Sequence, residues 1–231
     1  FSEDPAVVQE LGASLVRGLQ GPAGQQGFLA SGRVLATAKH FIGDGATVGG
    51  VDQGDVRITE QELASVHGAG YRGALGAGAQ TVMVSFNSWQ GLKLHGHRYL
   101  LTDVLKGRLG FDGLVVSDWN GIGQVSGCSN AACVPAVLAG IDMFMVPEDW
   151  KAFHANLVAA VGRGEVPMAR IDDAVRRILR VKARSGLLDA PRPSQRKPAA
   201  DATVGSAAHR ALARQAVRDS LVLLKNKAGI L

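Results

Sequence analysis

Two stretches of the chain place chemically able side chains directly after an apolar run. In Leu114-Val115-Val116-Ser117-Asp118-Trp119 a carboxylate follows the run, and in Val34-Leu35-Ala36-Thr37-Ala38-Lys39-His40 two hydrogen-bond donors do. A carboxylate held at the end of a rigid strand can attack an electrophilic carbon, and a neighbouring indole gives a flat apolar face on which a sugar ring can stack. Cleaving a glycosidic bond with retention asks for two carboxyl groups. One ionised carboxylate attacks the anomeric carbon, and a second, protonated one gives the leaving oxygen its proton. Asp118 suits the first role, and Lys39 and His40 would offer donors to sugar hydroxyls or to developing charge. Taken alone, Asp118 also reads as a helix cap at a strand-to-helix turn, and Lys39-His40 as surface residues. Their joint placement on successive strand ends is what favours chemistry.

The elements that must position them follow from the apolar pattern. Strand-like runs begin near residues 34, 81, 114 and 141, each separated from the next by helix, which predicts a parallel sheet covered on both faces. Polar residues stand at the C-terminal end of every run: Lys39-His40, Ser85 with Asn87, Ser117-Asp118, and Glu148-Asp149. That is where a (β/α)8 barrel gathers its active site, so the fold class expected is α/β, the back half of a TIM-like barrel. Asp4-Pro5 opens a helix carrying Val8, Leu11, Leu15 and Leu19. Thr59 with Glu62 caps another through Leu63 and Val66, and a further helix is expected around Tyr99 to Arg108. From Ile171 to Arg184 an amphipathic helix should turn Ile171, Val175, Ile178 and Leu179 inward and its arginines to solvent. Residues 1–188 are thus a partial barrel and 189–203 an interdomain linker without apolar periodicity. Residues 204–231 open a second domain, with a helix over Ala207 to Asp219 and a strand over Leu221 to Leu224.

Composition narrows the classes. Hydrophobic residues make up 46% of the 231 and charged residues 19%, and no apolar run is long enough to span a bilayer, so a globular protein without a membrane partner is expected. The formal charge of +5 collects late, around Arg176, Arg177 and Arg180, with no aromatic residue interleaved for base stacking, which argues against a nucleic-acid partner. Cys128 and Cys133 are spaced to close a small disulfide in an oxidising compartment or to remain free thiols; a bridge would imply export, and two thiols without further ligands do not make a metal site. Gly68-x-Gly70-x-x-Gly73 has the letters of a dinucleotide fingerprint but follows a helix rather than a strand, so no nucleotide is expected there. His95 and His97 read as surface residues rather than as metal ligands.

At longer range the motifs become specific. Lys39-His40-Phe41-Ile42-Gly43-Asp44-Gly45, Ser85-Phe86-Asn87-Ser88-Trp89, Leu101-Thr102-Asp103-Val104-Leu105-Lys106 and Gly110 to Trp119 resemble, in order and spacing, the family 3 glycoside hydrolases, among them β-glucosidases and exo-glucanases. Phe1 to Pro5, Met143 to Glu148 and Ala216 to Asn226 match as well. The resemblance implies that Asp118 is the nucleophile and that Lys39 and His40 bind hydroxyls of the sugar being cleaved. It makes Trp119 a wall of the neighbouring sugar site, and lets Phe86 and Met145 line the same pocket. It implies no cofactor, an oligosaccharide or glucoside substrate, and a periplasmic or secreted home. In the family the first barrel strands, which supply a further Asp and Arg to the sugar, precede the stretch matching Phe1, and the acid/base Glu comes from an α/β sandwich domain after the barrel. The expected activity is removal of β-D-glucose from non-reducing ends. A xylosidase, an N-acetylglucosaminidase or a sugar-binding scaffold without catalysis are the other readings, and the segment by itself is expected to be nearly inactive.

Overall fold

Asp4 starts the first helix by accepting the Ala6 N–H on its carboxylate, with Pro5 in the first turn, where no N–H is needed; α1 then runs Pro5–Gln20. The computed structural model describes residues 2–195, 204–227 and 229, divided between two compact units, 1–188 and 189–231. In the first unit follow β1 (Thr37–Phe41), β2 (Asp55–Val56), α2 (Glu60–Glu62), α3 (Ala69–Gly76), β3 (Thr81–Val84), β4 (Ser88–Trp89), β5 (Leu92–Lys93), β6 (Leu114–Val116), α4 (Val134–Ala139), α5 (Trp150–Gly162) and α6 (Met168–Arg184).

The strands β1, β3 and β6 form one parallel sheet in that order. Val82, Val84 and Val115 are fully buried in it, and Leu101, Leu105, Ile122 and Ile141 pack into the same core. Being parallel, the strands deliver Phe41, Ser85 and Ser117 to one edge of the sheet. A second, smaller sheet joins β2, β4 and β5. Its hairpin turns through Gln90 and Gly91, both at positive φ, which suits the twist of a two-residue loop. Asp55 staples it by accepting from the Ser88 hydroxyl and the Gly91 N–H, and these bonds hold its carboxyl below the usual range.

Several elements differ from what the pattern predicts. The first strand begins at Thr37, not Val34, and takes Lys39-His40 inside it; Val34 is exposed. The fourth run, 141–145, forms no regular strand. It lies beside β6 through a single Val116–Met143 bridge, and Met145 N–H donates to the Ser117 hydroxyl instead of to a backbone carbonyl. Residues 63–67 and 99–108 are π-helical. The first of these closes with Gly68 N–H on the Leu63 carbonyl, where a Cβ at 68 would sit 2.5 Å from the Ala64 carbonyl oxygen. The Thr59 cap is present, its hydroxyl accepting from Glu62 N–H.

The largest correction concerns α6. Val175 and Leu179 are exposed, while Arg170, Arg177 and Arg184 turn toward the barrel. Spaced seven apart they share a helix face. Arg170 and Lys106 meet the fully buried Asp142 carboxylate, Asp173 joins Lys106, Arg170 and Arg177, and Arg177 caps the Phe111 and Gly113 carbonyls. The guanidinium groups point inward because a buried carboxylate and unpaired loop carbonyls need them more than water does.

The glycines at 68, 70 and 73 serve packing. A Cβ at Gly73 would lie 2.2 Å from the Gln9 carbonyl oxygen and one at Gly70 3.1 Å from Val8, so bare backbone is what lets α3 lie against α1.

Cys128 and Cys133 are joined in a disulfide with Cα atoms 4.8 Å apart. Closing so short a loop removes about 2 kcal/mol of unfolded-state entropy. Reduction should therefore lower stability modestly, seen as an earlier unfolding midpoint in urea with reductant than without, and a Cys128→Ser/Cys133→Ser variant should be indifferent to reductant.

In the second unit a helix, α7, spans Ala207–Ser220, its first turn capped by the Ser206 hydroxyl. Leu221 to Leu224 form no strand and are exposed, since no partner strand is present for them among the described residues. Of the stretch expected as a linker, 189–195 includes a short turn at Pro193–Gln195, and 196–203 lie outside the described residues.

Candidate active site

Asp118 is the second residue beyond β6, at the edge of the sheet where the parallel strands end. Ser117 N–H donates to the Met143 carbonyl and so carries the sheet one residue past β6, after which the chain turns. The Asp118 side chain is mostly buried, 15% exposed. Its Oδ1 accepts the Trp119 N–H at 2.7 Å and its Oδ2 lies 3.5 Å from His40 Nε2. One oxygen is therefore anchored by its own turn, and the other faces a neighbouring strand end. At 3.5 Å the His40 contact is electrostatic rather than a formed hydrogen bond. His40 Nδ1 is 3.1 Å from Asp44 Oδ2, so the imidazole stands between two carboxylates, which fix the orientation of the ring.

The turn after Asp118 is built to expose Trp119, 54% accessible. Asn120 adopts the left-handed conformation, its N–H donates to the Met145 carbonyl, and its side-chain amide donates to Glu148. Met145 is thus fixed on both sides of Asp118, by Ser117 and by Asn120. Phe86 is half-buried, its carbonyl accepting from Lys93 Nζ and its ring 5.8 Å from that of His95. Of the sequence-derived set, the structure links Asp118, His40, Trp119, Met145 and Phe86 directly or through one shared neighbour. Lys39 stands apart: among the described residues its side chain has no hydrogen bond or ion pair, and it lines an open cleft of about 630 Å³ between α1 and β1.

His95 and His97 are not surface residues. Both are buried, at 1% and 8% exposure. Asp118 N–H donates to His95 Nε2 at 2.9 Å. Burial, with the Lys93 charge adding to it, pushes the His95 pKa down to about 4 against a hydrogen bond to the Ser85 backbone. Because Nε2 accepts, the proton sits on Nδ1 and the ring is neutral. His97 stacks on Trp89, and burial lowers its pKa too. Nothing in the sequence spacing announces His95: Leu94-His95-Gly96 has no periodicity that separates a buried histidine from an exposed one. Ser85 Oγ and Asn120 Oδ1 are buried without a hydrogen-bond partner among the described residues.

Residues 1–181 match the model of the glycosyl hydrolase family 3 N-terminal domain. The chain belongs to glycoside hydrolase family 3. The fold of that domain is TIM-barrel-like, and the parallel sheet of the first unit is part of it. The exo-1,3/1,4-beta-glucanase from a Pseudoalteromonas species superposes with a TM-score of 0.94 at 50% identity, over 100% of this chain and 29% of that one. A lysosomal beta glucosidase of Dictyostelium discoideum is 36% identical over all of this chain and 29% of its own length. A periplasmic beta-glucosidase of Salmonella typhimurium is 34% identical over 98% of this chain and 30% of its own. The chain spans less than a third of the length of each of these family 3 relatives.

Proposed function

We propose that this chain is the nucleophile-bearing part of a retaining, exo-acting β-glucosidase that releases glucose from the non-reducing end of β-glucans, cello-oligosaccharides or glucosides. The observation that carries the reading is Asp118 itself. It is a strand-end carboxylate with one oxygen anchored to Trp119 N–H and the other directed toward His40, in a chain of the same family as several β-glucosidases. In the first step Oδ2 attacks the anomeric carbon as the glycosidic bond breaks, and the leaving oxygen takes a proton from the acid/base Glu, which this reading assigns to the sandwich domain. In the second, the same Glu, now a carboxylate, takes a proton from a water that attacks the anomeric carbon, and Asp118 leaves as the carboxylate. His40 and Lys39 donate to hydroxyls of the glucose, and Trp119, Phe86 and Met145 wall the site. A periplasmic or secreted location is supported by the name of the Salmonella relative and by the Cys128–Cys133 bridge. Among the described residues no helix is long and apolar enough to cross a membrane.

The test is a 2-fluoro-glucoside with a good leaving group, incubated with the full-length protein and followed by peptide mass mapping. The expected result is one added fluoroglucosyl group on the peptide containing Asp118. An active protein labelled on a different carboxylate would remove Asp118 from the role, and a protein that binds glucose but neither turns over nor labels would be a scaffold.

A further inference from the structure

The Asp118 N–H lies just past the backbone ladder of β6. The ladder extends to Ser117, whose N–H goes to the Met143 carbonyl. One residue on, the acceptor changes from a carbonyl to the imidazole of residue 95, at 2.9 Å. That imidazole has little room to move. Its Nε2 lies 2.3 Å from where a Cβ of Gly121 would stand, Phe86 covers one side, and the Leu94 N–H fastens the preceding residue to the Asn87 carbonyl. The hydrogen bond to the Ser85 backbone comes from the end of β3, so a single ring links the ends of β3 and β6.

We propose that His95 is a positioning residue for the reaction: its neutral ring accepts the Asp118 N–H and fixes the angle at which the Asp118 carboxylate meets the anomeric carbon. The inference rests on Asp118 being the nucleophile. Oδ1 is already committed to Trp119 N–H, so the direction of Oδ2 is set by the backbone at 118, and the imidazole sets that backbone. A displacement of about 1 Å in a reacting group can lower a rate about a hundredfold. His95 donates nothing to Asp118 and takes no proton from substrate; its part is to be an acceptor of fixed position, which requires an unprotonated Nε2. Burial holds the ring in that form at neutral pH.

The test uses the full-length protein with His95→Gln, His95→Asn and His95→Leu, and measures the inactivation rate constant and binding constant for the 2-fluoro-glucoside. Gln can place a carbonyl oxygen near the position of Nε2; Asn is too short to reach the Asp118 N–H, and Leu has no acceptor. The expected result is a fall of about tenfold to a hundredfold in the inactivation rate constant for Asn and Leu at unchanged binding, with Gln restoring most of it. Asn and Leu variants that label as fast as the parent overturn the proposal, as does a Gln variant that falls with them, because a purely structural role would not respect the acceptor. If Leu does not fold, the Asn and Gln pair decides. Asp118→Asn is run alongside: labelling that survives it overturns the nucleophile assignment, whereas loss of labelling there with unaltered His95 variants overturns only the role of His95.

Discussion

Replacing Asp118 by Asn in the full-length protein should lower kcat by on the order of 10⁴-fold or more while leaving the fold intact. The amide keeps an oxygen that can accept the Trp119 N–H, and its shape matches the carboxylate, so the turn through Asn120 has no reason to move. What is lost is the negative charge and the electron pair that the proposed reaction sends to the anomeric carbon. Asp118→Ala makes the chemistry explicit. It opens a small space facing His40 that azide can enter, and azide attacking from there should restore turnover and give the α-glycosyl azide, one inversion in place of two. A β-glycosyl azide would mean that the residue removed was the acid/base, and no rescue with full residual activity would mean that Asp118 is a structural cap. Steady-state rates with an aryl glucoside and product stereochemistry by proton NMR read both outcomes.

The second large effect should be on stability. Asp142→Asn removes the one fully buried carboxylate that faces Lys106 and Arg170. Two cations that are themselves largely buried would then share Asp173, which is partly exposed. Breaking a buried ion pair from one side typically destabilises by about 3–5 kcal/mol, mostly from the charge left uncompensated. The same carboxylate accepts the Val115 N–H of β6 with its second oxygen, and an amide has only one oxygen for both the cations and that N–H, so the damage should spread to the strand that carries Asp118. Urea unfolding of the variant should show the loss. Adding Lys106→Met to Asp142→Asn should recover part of it by removing one orphaned charge, and a double variant no better than the single would place the effect in the Val115 bond instead.

The fold was legible where burial on both faces left a simple trace. The runs at Thr81–Val84 and Leu114–Val116 are strands because nearly every side chain in them is covered, and an unbroken apolar run records that directly. The run at 141–145 is broken by Asp142 and pairs through one bridge: Asp142 N–H and Met143 N–H both donate to the Val115 carbonyl, Met145 N–H goes to the Ser117 hydroxyl, and the Asp142 carboxylate takes the Val115 N–H. In α6, Ile171 and Ile178 pack inward and Arg176 is exposed as the periodicity predicts, but Val175, Leu179 and three of the arginines depart from it for a physical reason. Hydrophobic periodicity assigns arginine to water, and it has no means of knowing that Asp142 and the Phe111 and Gly113 carbonyls wait beneath the helix. In the site, the position of Asp118 just past an apolar run was legible, whereas His40, expected after its run, lies inside β1. His95 was not legible, since its role depends on which backbone N–H it meets across 23 residues.

Gly73 and Gly70 bear on more than the two helices they separate. Both α1 and α3 line the cleft that holds Lys39, and the spacing of these helices is set by the backbone of one touching the other at Gln9 and Val8. The pair works as a caliper: its jaw width is fixed by two missing methyl groups, and the opening beside Lys39 is cut to that gauge. A homologous sequence with alanine at either position would have to carry a compensating change on α1 or present a wider mouth on that side of the sheet, so two helix-packing glycines, Gly70 in the wall itself, bear on the shape of the space beside Lys39.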